Sequence, residues 1–247
     1  MDGNRTVLVT GAARGIGRAI ATAFAADGDR VALHYASRRA EAEEALDGLA
    51  GSGHVLVQGD ISTPEGAAGV VAAAVEALGP LDVLVNNAAV NIEHRLDRTT
   101  FEDWQDAWRR TVDVNLLGTA HVTYCAARNM IDHQVRGRIV NVGSRGAFKG
   151  EPDHPAYGAT KAAMHALGQS LAVSLAPHGI TVASVAPGFV ATERVADRIS
   201  AAVEEQSPFG RVAAPEEIAA AVRYLASPEA VWSSGAVLDV NGASYLR

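Results

Sequence analysis

The stretch Thr10-Gly11-Ala12-Ala13-Arg14-Gly15-Ile16-Gly17 decides how the rest of the chain is read. It follows a short β-rich run, Thr6–Val9, and leads into an alanine-rich helical pattern over 18–26. Glycine lets a chain leave a strand through a tight turn and lets backbone come close to a bound group. A helix opening directly after such a turn aims unpaired N–H groups at an anion. The spacing is G-x-x-x-G-x-G rather than G-x-G-x-x-G, so the glycines alone are weak evidence. Their place between a strand and a helix marks them as a phosphate-holding turn.

Working outward, the same rhythm repeats. Further apolar, β-rich runs stand at 31–35, 54–57, 81–85, 138–142, 181–185 and 237–240. Continuous apolar runs suit strands buried on both faces of a parallel sheet. Helical patterns separate them at 40–49, 65–78, 156–176 and 215–226, with another opening at Thr100 in a capping-box pattern with Asp103. Strand and helix alternating in this way predict right-handed crossovers. The expected fold is α/β: a single-domain, Rossmann-like, doubly wound parallel sheet of about seven strands with helices on both faces. No linker or low-complexity segment divides 1–247. The rhythm breaks only at 188–210, which is expected to be a substrate lid.

Bulk composition narrows the function classes. Hydrophobic residues make up 48% and charged residues 20%, as in ordinary globular proteins. The net charge of -7 argues against nucleic-acid binding and against docking to anionic membranes. Cys125 is the one cysteine, so no intrachain disulfide can form; its apolar flanks suggest a small buried hydrophobe. With no signal peptide or run of about 20 apolar residues, a cytoplasmic protein is expected. No metal ligand set is expected.

Four further motifs lie at predicted strand ends. After the second strand stands Tyr35, where an Asp or Glu is often found to bond a ribose 2′-OH; Ser37, Arg38 and Arg14 could instead hold a 2′-phosphate. After the third, Asp60 either accepts from an adenine amino group or caps the helix that starts near Pro64. After the fourth, Asn86-Asn87-Ala88-Ala89 offers amides to knit loops and small residues to leave room for a ribose. After the fifth comes Ser144, then Tyr157 and Lys161 on one face of a helix. A phenol titrates near pH ~10, and a cation one turn away favours its phenolate. Tyr157 could then exchange a proton with an alkoxide while Ser144 holds the same oxygen.

Taken together, Thr10-Gly11-x-x-x-Gly15-x-Gly17, Asp60, Asn86-Asn87-Ala88, Asn115, Ser144, Tyr157-x-x-x-Lys161 and Pro187-Gly188 resemble the short-chain dehydrogenase/reductase family over essentially the whole chain. The resemblance implies that Tyr157 is the catalytic acid/base. It implies that Lys161 bonds the nicotinamide ribose, that Ser144 orients the carbonyl, and that Asn115 kinks its helix and supports a relay water. It implies cofactor contacts from Gly11, Arg14, Gly15, Ile16, Gly17, Ser37, Arg38, Asp60, Ile61, Asn87, Ala88, Ala89, Tyr157 and Lys161. Pro187, Gly188, Val190 and Thr192 would hold the carboxamide. The expected cofactor is NADP(H), with NAD(H) the alternative. The expected reaction interconverts a ketone and a secondary alcohol; the overall look is nearest to 3-oxoacyl-acyl-carrier-protein reductases. A dehydrogenase of a sugar or polyol and a non-catalytic dinucleotide sensor or scaffold are the other readings.

Two departures stand out. Ala89 replaces the family's usual glycine, adding a methyl near the ribose, and Asp239-Val240-Asn241-Gly242-Ala243 varies the usual terminus. The resemblance also implies a homo-oligomer, tetramer or dimer. Arg128, Arg136 and Arg138 are candidates for an acyl-carrier-protein contact. Candidate pocket residues are Arg145, Phe148, His154, Phe189 and the span 193–209.

Overall fold

The computed structural model describes residues 4–193 and 199–247. Seven strands form one sheet: β1 (Thr6–Val9), β2 (Arg30–Tyr35), β3 (Val55–Gln58), β4 (Val83–Asn86), β5 (Arg138–Val142), β6 (Thr181–Pro187) and β7 (Val237–Val240). Their order is β3-β2-β1-β4-β5-β6-β7, and every neighbouring pair is parallel. The doubly wound α/β expectation holds. The chain winds outward from β1 to β3, returns beside β1 as β4, and winds the other way. Ligand crevices in such sheets open at the strand carboxyl ends where the order reverses, here between β1 and β4.

The five inner strands β2, β1, β4, β5 and β6 bury both faces, while the edge strands β3 and β7 are only partly covered, and alternate residues serve separate cores. Val7, Val9, Val31, Leu33, Val83, Val85 and Val140 pack with Ile20 and Phe24 of helix α1 (Gly15–Ala26) and with Ile218 and Val222 of a later helix at Pro215–Leu225. Leu8, Ala32, Leu84, Ile139 and Val182 face the other side. There they meet Val70 and Ala74 of α3 (Pro64–Leu78), Val122 and Met130 of α5 (Thr119–Asp132), and Leu175 of α7 (Pro155–Leu175). The other α-helices among the described residues are α2 (Arg39–Asp47), α4 (Phe101–Val112), α6 (Gly146–Lys149), α8 (Ala201–Glu204) and the later helix just mentioned, α9 (Pro215–Leu225). The apolar runs noted above are these strands, displaced by two residues or fewer at most ends.

Local chemistry sets the helix starts. Thr63 caps α3, its Oγ1 accepting from Gly66 N at 3.1 Å. Thr100 caps α4 by accepting from Asp103 N at 3.1 Å. Asp60 therefore does not cap α3; its Oδ1 accepts from Ser62 N at 3.0 Å in the loop before it. Between α4 and α5 the helix loosens into a π-helical turn, Asp113–Gly118, which contains Asn115.

Candidate active site

One cavity of about 1600 Å³ opens at the carboxyl ends of the central strands. Every residue singled out above as a cofactor or catalytic candidate lines it, apart from Asn115. Its floor is the glycine turn. Gly11 and Gly15 have φ of +64° and +54°, the left-handed region that favours glycine. A Cβ on Gly17 would lie 2.3 Å from the Gly11 carbonyl oxygen and 2.5 Å from Asn87 Nδ2. Asn87 braces this turn, its Nδ2 donating to the carbonyls of Thr10 and Gly11 at 2.9 Å each. Thr10 Oγ1 in turn accepts from the backbone N–H of Asn87 and Ala88. A half-buried backbone turn that lines the cavity at the N-terminus of α1 fits the pyrophosphate of a dinucleotide.

A histidine that the sequence reading passed over completes the floor. His34, in β2, is buried. Its Nδ1 accepts from Gly11 N at 3.1 Å, and its Nε2 donates to Gly59 O at 3.0 Å. Burial holds its pKa below the ordinary value, and the nearby Asp60 carboxylate opposes this only in part. The neutral ring thus ties the glycine turn to the end of β3.

Beyond β2, Ser37 and Arg38 are exposed at the cavity's rim. Arg38 Nη1 pairs with Glu41 Oε1 at 2.6 Å, and Arg14 Nε lies 3.9 Å from Glu41 Oε2. One carboxylate therefore sits against both arginines. Asp60 is held below the usual carboxylate range by its hydrogen bonds from Ser62, with Arg110 adding a smaller pull.

The third wall carries Ser144, Tyr157 and Lys161. Lys161 is fully buried, and its Nζ donates to Val142 O at 2.7 Å. It lies 5.6 Å from the centre of the Tyr157 ring, one helical turn away. Ser144 Oγ accepts from Gly146 N at 3.0 Å, which leaves its own proton to be donated elsewhere. Asn115 sits just behind, fully buried. Its Oδ1 accepts from Val90 N at 2.8 Å, and its Nδ2 donates to Val90 O at 2.9 Å and to Thr160 Oγ1 at 3.3 Å. The π-helical turn lets this amide reach sideways to the loop after β4. Asn86, by contrast, is structural. Its Nδ2 donates to Thr123 Oγ1 at 2.8 Å and to Asn141 Oδ1 at 2.9 Å, joining β4 to α5 and β5.

The start of α7, which presents Tyr157, is held by another residue that the sequence did not advertise. His94 is buried among the rings of Trp104 and Trp108. Its Nδ1 donates to Ile92 O at 2.8 Å and its Nε2 accepts from Ala156 N at 3.2 Å. An ion pair from Arg95 to Asp153 at 3.0 Å ties the same two loops together.

Of the expected pocket residues, Arg145, His154 and Phe189 line the cavity. Phe148 does not line it: its ring lies 5.2 Å from His165, beneath the guanidinium of Arg247 at 4.2 Å. The turn after β6 closes over the glycines, with Thr192 Cγ2 3.1 Å from where a Gly15 Cβ would sit. Of the expected lid, 194–198 lies outside the described residues, including Arg194, Val195 and Arg198. No cluster of His, Cys, Asp or Glu able to hold a metal occurs among the described residues, and none of their helices is long and apolar enough to cross a membrane.

Residues 11–243 match a family model described as Enoyl-(Acyl carrier protein) reductase. The chain is 38% identical to an L-rhamnose 1-dehydrogenase (NAD(P)(+)) of a Sphingomonas species, over 98% of this chain and 97% of that protein. It is 36% identical to a 3-oxoacyl-[acyl-carrier-protein] reductase of Vibrio cholerae, over 98% of each. It is also 36% identical to 3beta-hydroxysteroid dehydrogenase 1 of Eggerthella lenta, over 98% of this chain and 94% of that protein. The chain belongs to the short-chain dehydrogenase/reductase family of nicotinamide-dependent oxidoreductases.

Proposed function

We propose that this protein is an NADPH-dependent reductase interconverting a ketone and a secondary alcohol, with Tyr157 as the proton donor and acceptor. The observation that carries the reading is the Tyr157–Lys161 pair, 5.6 Å apart, in the same cavity as a glycine turn built for a pyrophosphate. A bound nicotinamide dinucleotide supplies or accepts the hydride.

The chain's own residues do the rest. Ser144 Oγ, oriented by accepting from the Gly146 N–H, donates its proton to the substrate oxygen and orients it. Tyr157 gives its phenolic proton to that oxygen as negative charge builds on it, and the buried Lys161 ammonium stabilises the phenolate left behind. The Lys161 bond to Val142 O keeps the ammonium in place. Asn115 holds the loop at Val90 and the helix at Thr160, setting the spacing between the wall and the cofactor side. The segment 188–210 acts as the lid that excludes water.

Arg38 and Arg14, with no carboxylate at the end of β2, favour a 2′-phosphate, which would displace Glu41. The same Glu41 supports the second reading, an NAD-linked dehydrogenase of a sugar or other secondary alcohol, because it already neutralises those arginines. A Sphingomonas relative is named for both cofactors. Specificity constants with NADPH and NADH distinguish the two. Arg38→Ala should lower the NADPH value about 10-fold and leave the NADH value within about 2-fold; equal losses favour the second reading.

The proton chemistry is tested with Tyr157→Phe, which should remove at least ~99% of ketone-dependent NADPH oxidation while cofactor binding persists. Full activity in that variant would refute it. Exposed Phe101, Leu117 and Tyr124 support a homo-oligomer, tetramer or dimer, to be measured by light scattering. An acyl-carrier-protein-linked substrate is the less favoured partner. Arg128 is paired with Asp132 at 2.7 Å, and Arg138 is half-buried with its Nη1 donating to the carbonyls of Arg136 and Gly137 at 2.9 Å each, which leaves exposed Arg136 as the candidate cation best placed to meet a partner and makes for a thin basic patch. The reading includes a cytoplasmic location, supported by the lone Cys125.

A further inference from the structure

Arg145 follows Ser144 directly, lines the cavity, and is only 6% exposed. Its guanidinium lies 5.2 Å over the Phe189 ring. Its one side-chain hydrogen bond among the described residues runs from Nη2 to Gln206 Oε1, at 2.5 Å. An arginine has five N–H donors, and no carboxylate of the described residues forms an ion pair with this one. Among the described residues the acid whose charge acts on it is Glu151, which is packed against α6: a Cβ on Gly146 would fall 2.2 Å from Glu151 Oε1. Burial pushes the Glu151 carboxyl above its usual range, against the pull of the Arg145 and Lys149 charges, and no ion pair closes between it and Arg145. Burying a guanidinium without an ion-paired carboxylate is costly, and a planar anion entering the cavity offsets that cost with paired hydrogen bonds. Lys149, whose Nζ also reaches Gln206 Oε1 at 3.4 Å, adds positive charge on the same side.

We infer that Arg145 is a specificity residue that binds an anionic group, carboxylate or phosphate, carried by the substrate close to its carbonyl. This rests on the proposed ketone reduction and names its substrate class: oxo acids or phosphorylated ketones, and the corresponding hydroxy compounds. Phe189 and Gln206 hold the guanidinium flat and steady, so that its remaining N–H groups face the anion. Ser144, one residue away, holds the carbonyl.

The test uses matched pairs with the cofactor present: acetoacetate against methyl acetoacetate, and dihydroxyacetone phosphate against dihydroxyacetone. The charged member of at least one pair should be preferred by about 10-fold or more in kcat/KM, and which pair responds tells carboxylate from phosphate. Arg145→Met should lower the charged-to-neutral ratio about 30-fold, through KM, and Arg145→Lys should lower it less. Preference for the neutral members, or an unchanged ratio in Arg145→Met, would overturn the inference. Calorimetric titration of malonate and of inorganic phosphate into the NADP⁺-loaded protein reads the anion site without turnover. Binding of either that weakens at least ~10-fold in Arg145→Met supports the site even if no ketone is reduced, an outcome that would sink only the reductase reading. Absence of both anions from the site, or equal binding in the variant, counts against it. Should Arg145→Met fail to fold, Arg145→Lys carries the same comparisons.

Discussion

His165 lies one helical turn beyond Lys161, 4% exposed, and neither of its ring nitrogens has a hydrogen-bond partner among the described residues. Burial, reinforced by the charges of Lys161 and Arg247 and opposed by Asp239, lowers its pKa from 6.5 to about 4. Below pH 6.5 the unfolded chain takes up a proton here that the folded protein refuses until pH reaches about 4. Stability is therefore lost as pH falls through that window, and no further loss from this group follows below it. The difference in proton affinity corresponds to about 3 kcal/mol in all, with about 1.4 lost by pH 5.5 and about 2.5 by pH 4.5. His165→Met keeps a side chain of similar bulk against Phe148 and removes the titration. Urea unfolding of both proteins, followed by tryptophan fluorescence at pH 7.5, 5.5 and 4.5, isolates the effect, because other titrating groups are common to both. The variant should equal or exceed wild type at pH 7.5, since it also removes two unsatisfied buried nitrogens, and its advantage should grow by about 2.5 kcal/mol at pH 4.5. An advantage that stays constant with pH would mean that His165 is solvated or partnered in solution, and would refute the reasoning.

Gly17→Ala puts a methyl against the Gly11 carbonyl and Asn87 Nδ2; unfolding should show a loss of about 1–3 kcal/mol, and titration should show NADPH binding weakened about 10-fold. An unchanged melting temperature and Kd would place the turn elsewhere. His94→Leu leaves the Ala156 N–H at the start of α7 without its acceptor, at a cost of about 1–3 kcal/mol by thermal unfolding. Because Tyr157 is the next residue, kcat should fall while the cofactor Kd holds; a fall in cofactor affinity alone would disagree.

Seven apolar runs and the glycines between the first strand and helix were enough to read the sheet, because period and burial are local properties of a parallel strand. The Tyr157–Lys161 spacing was also legible, since residues four apart share a helix face whatever surrounds them. Asp60 was ambiguous between a ligand contact and a cap until the structure placed Thr63 at the cap. Phe148 was a candidate pocket residue, yet the short helix α6 turns it toward His165 and Arg247.

The sequence by itself determined the fold class, the glycine turn and the placing of Tyr157 and Lys161 on one helix face, because each depends on spacing along one strand, turn or helix. Only the tertiary structure decided what holds them in register. His34 reaches the glycine turn and the end of β3 across separate loops, and His94 pins α7 from a loop over 60 residues earlier. Glu41 faces two arginines, one of them in the glycine turn. Arg145 is buried without an ion-paired carboxylate among the described residues, which its neighbours in sequence do not reveal. Such pairings depend on which backbone atoms the sheet brings within about 3 Å of one another, and that distance is set by the packing of distant segments.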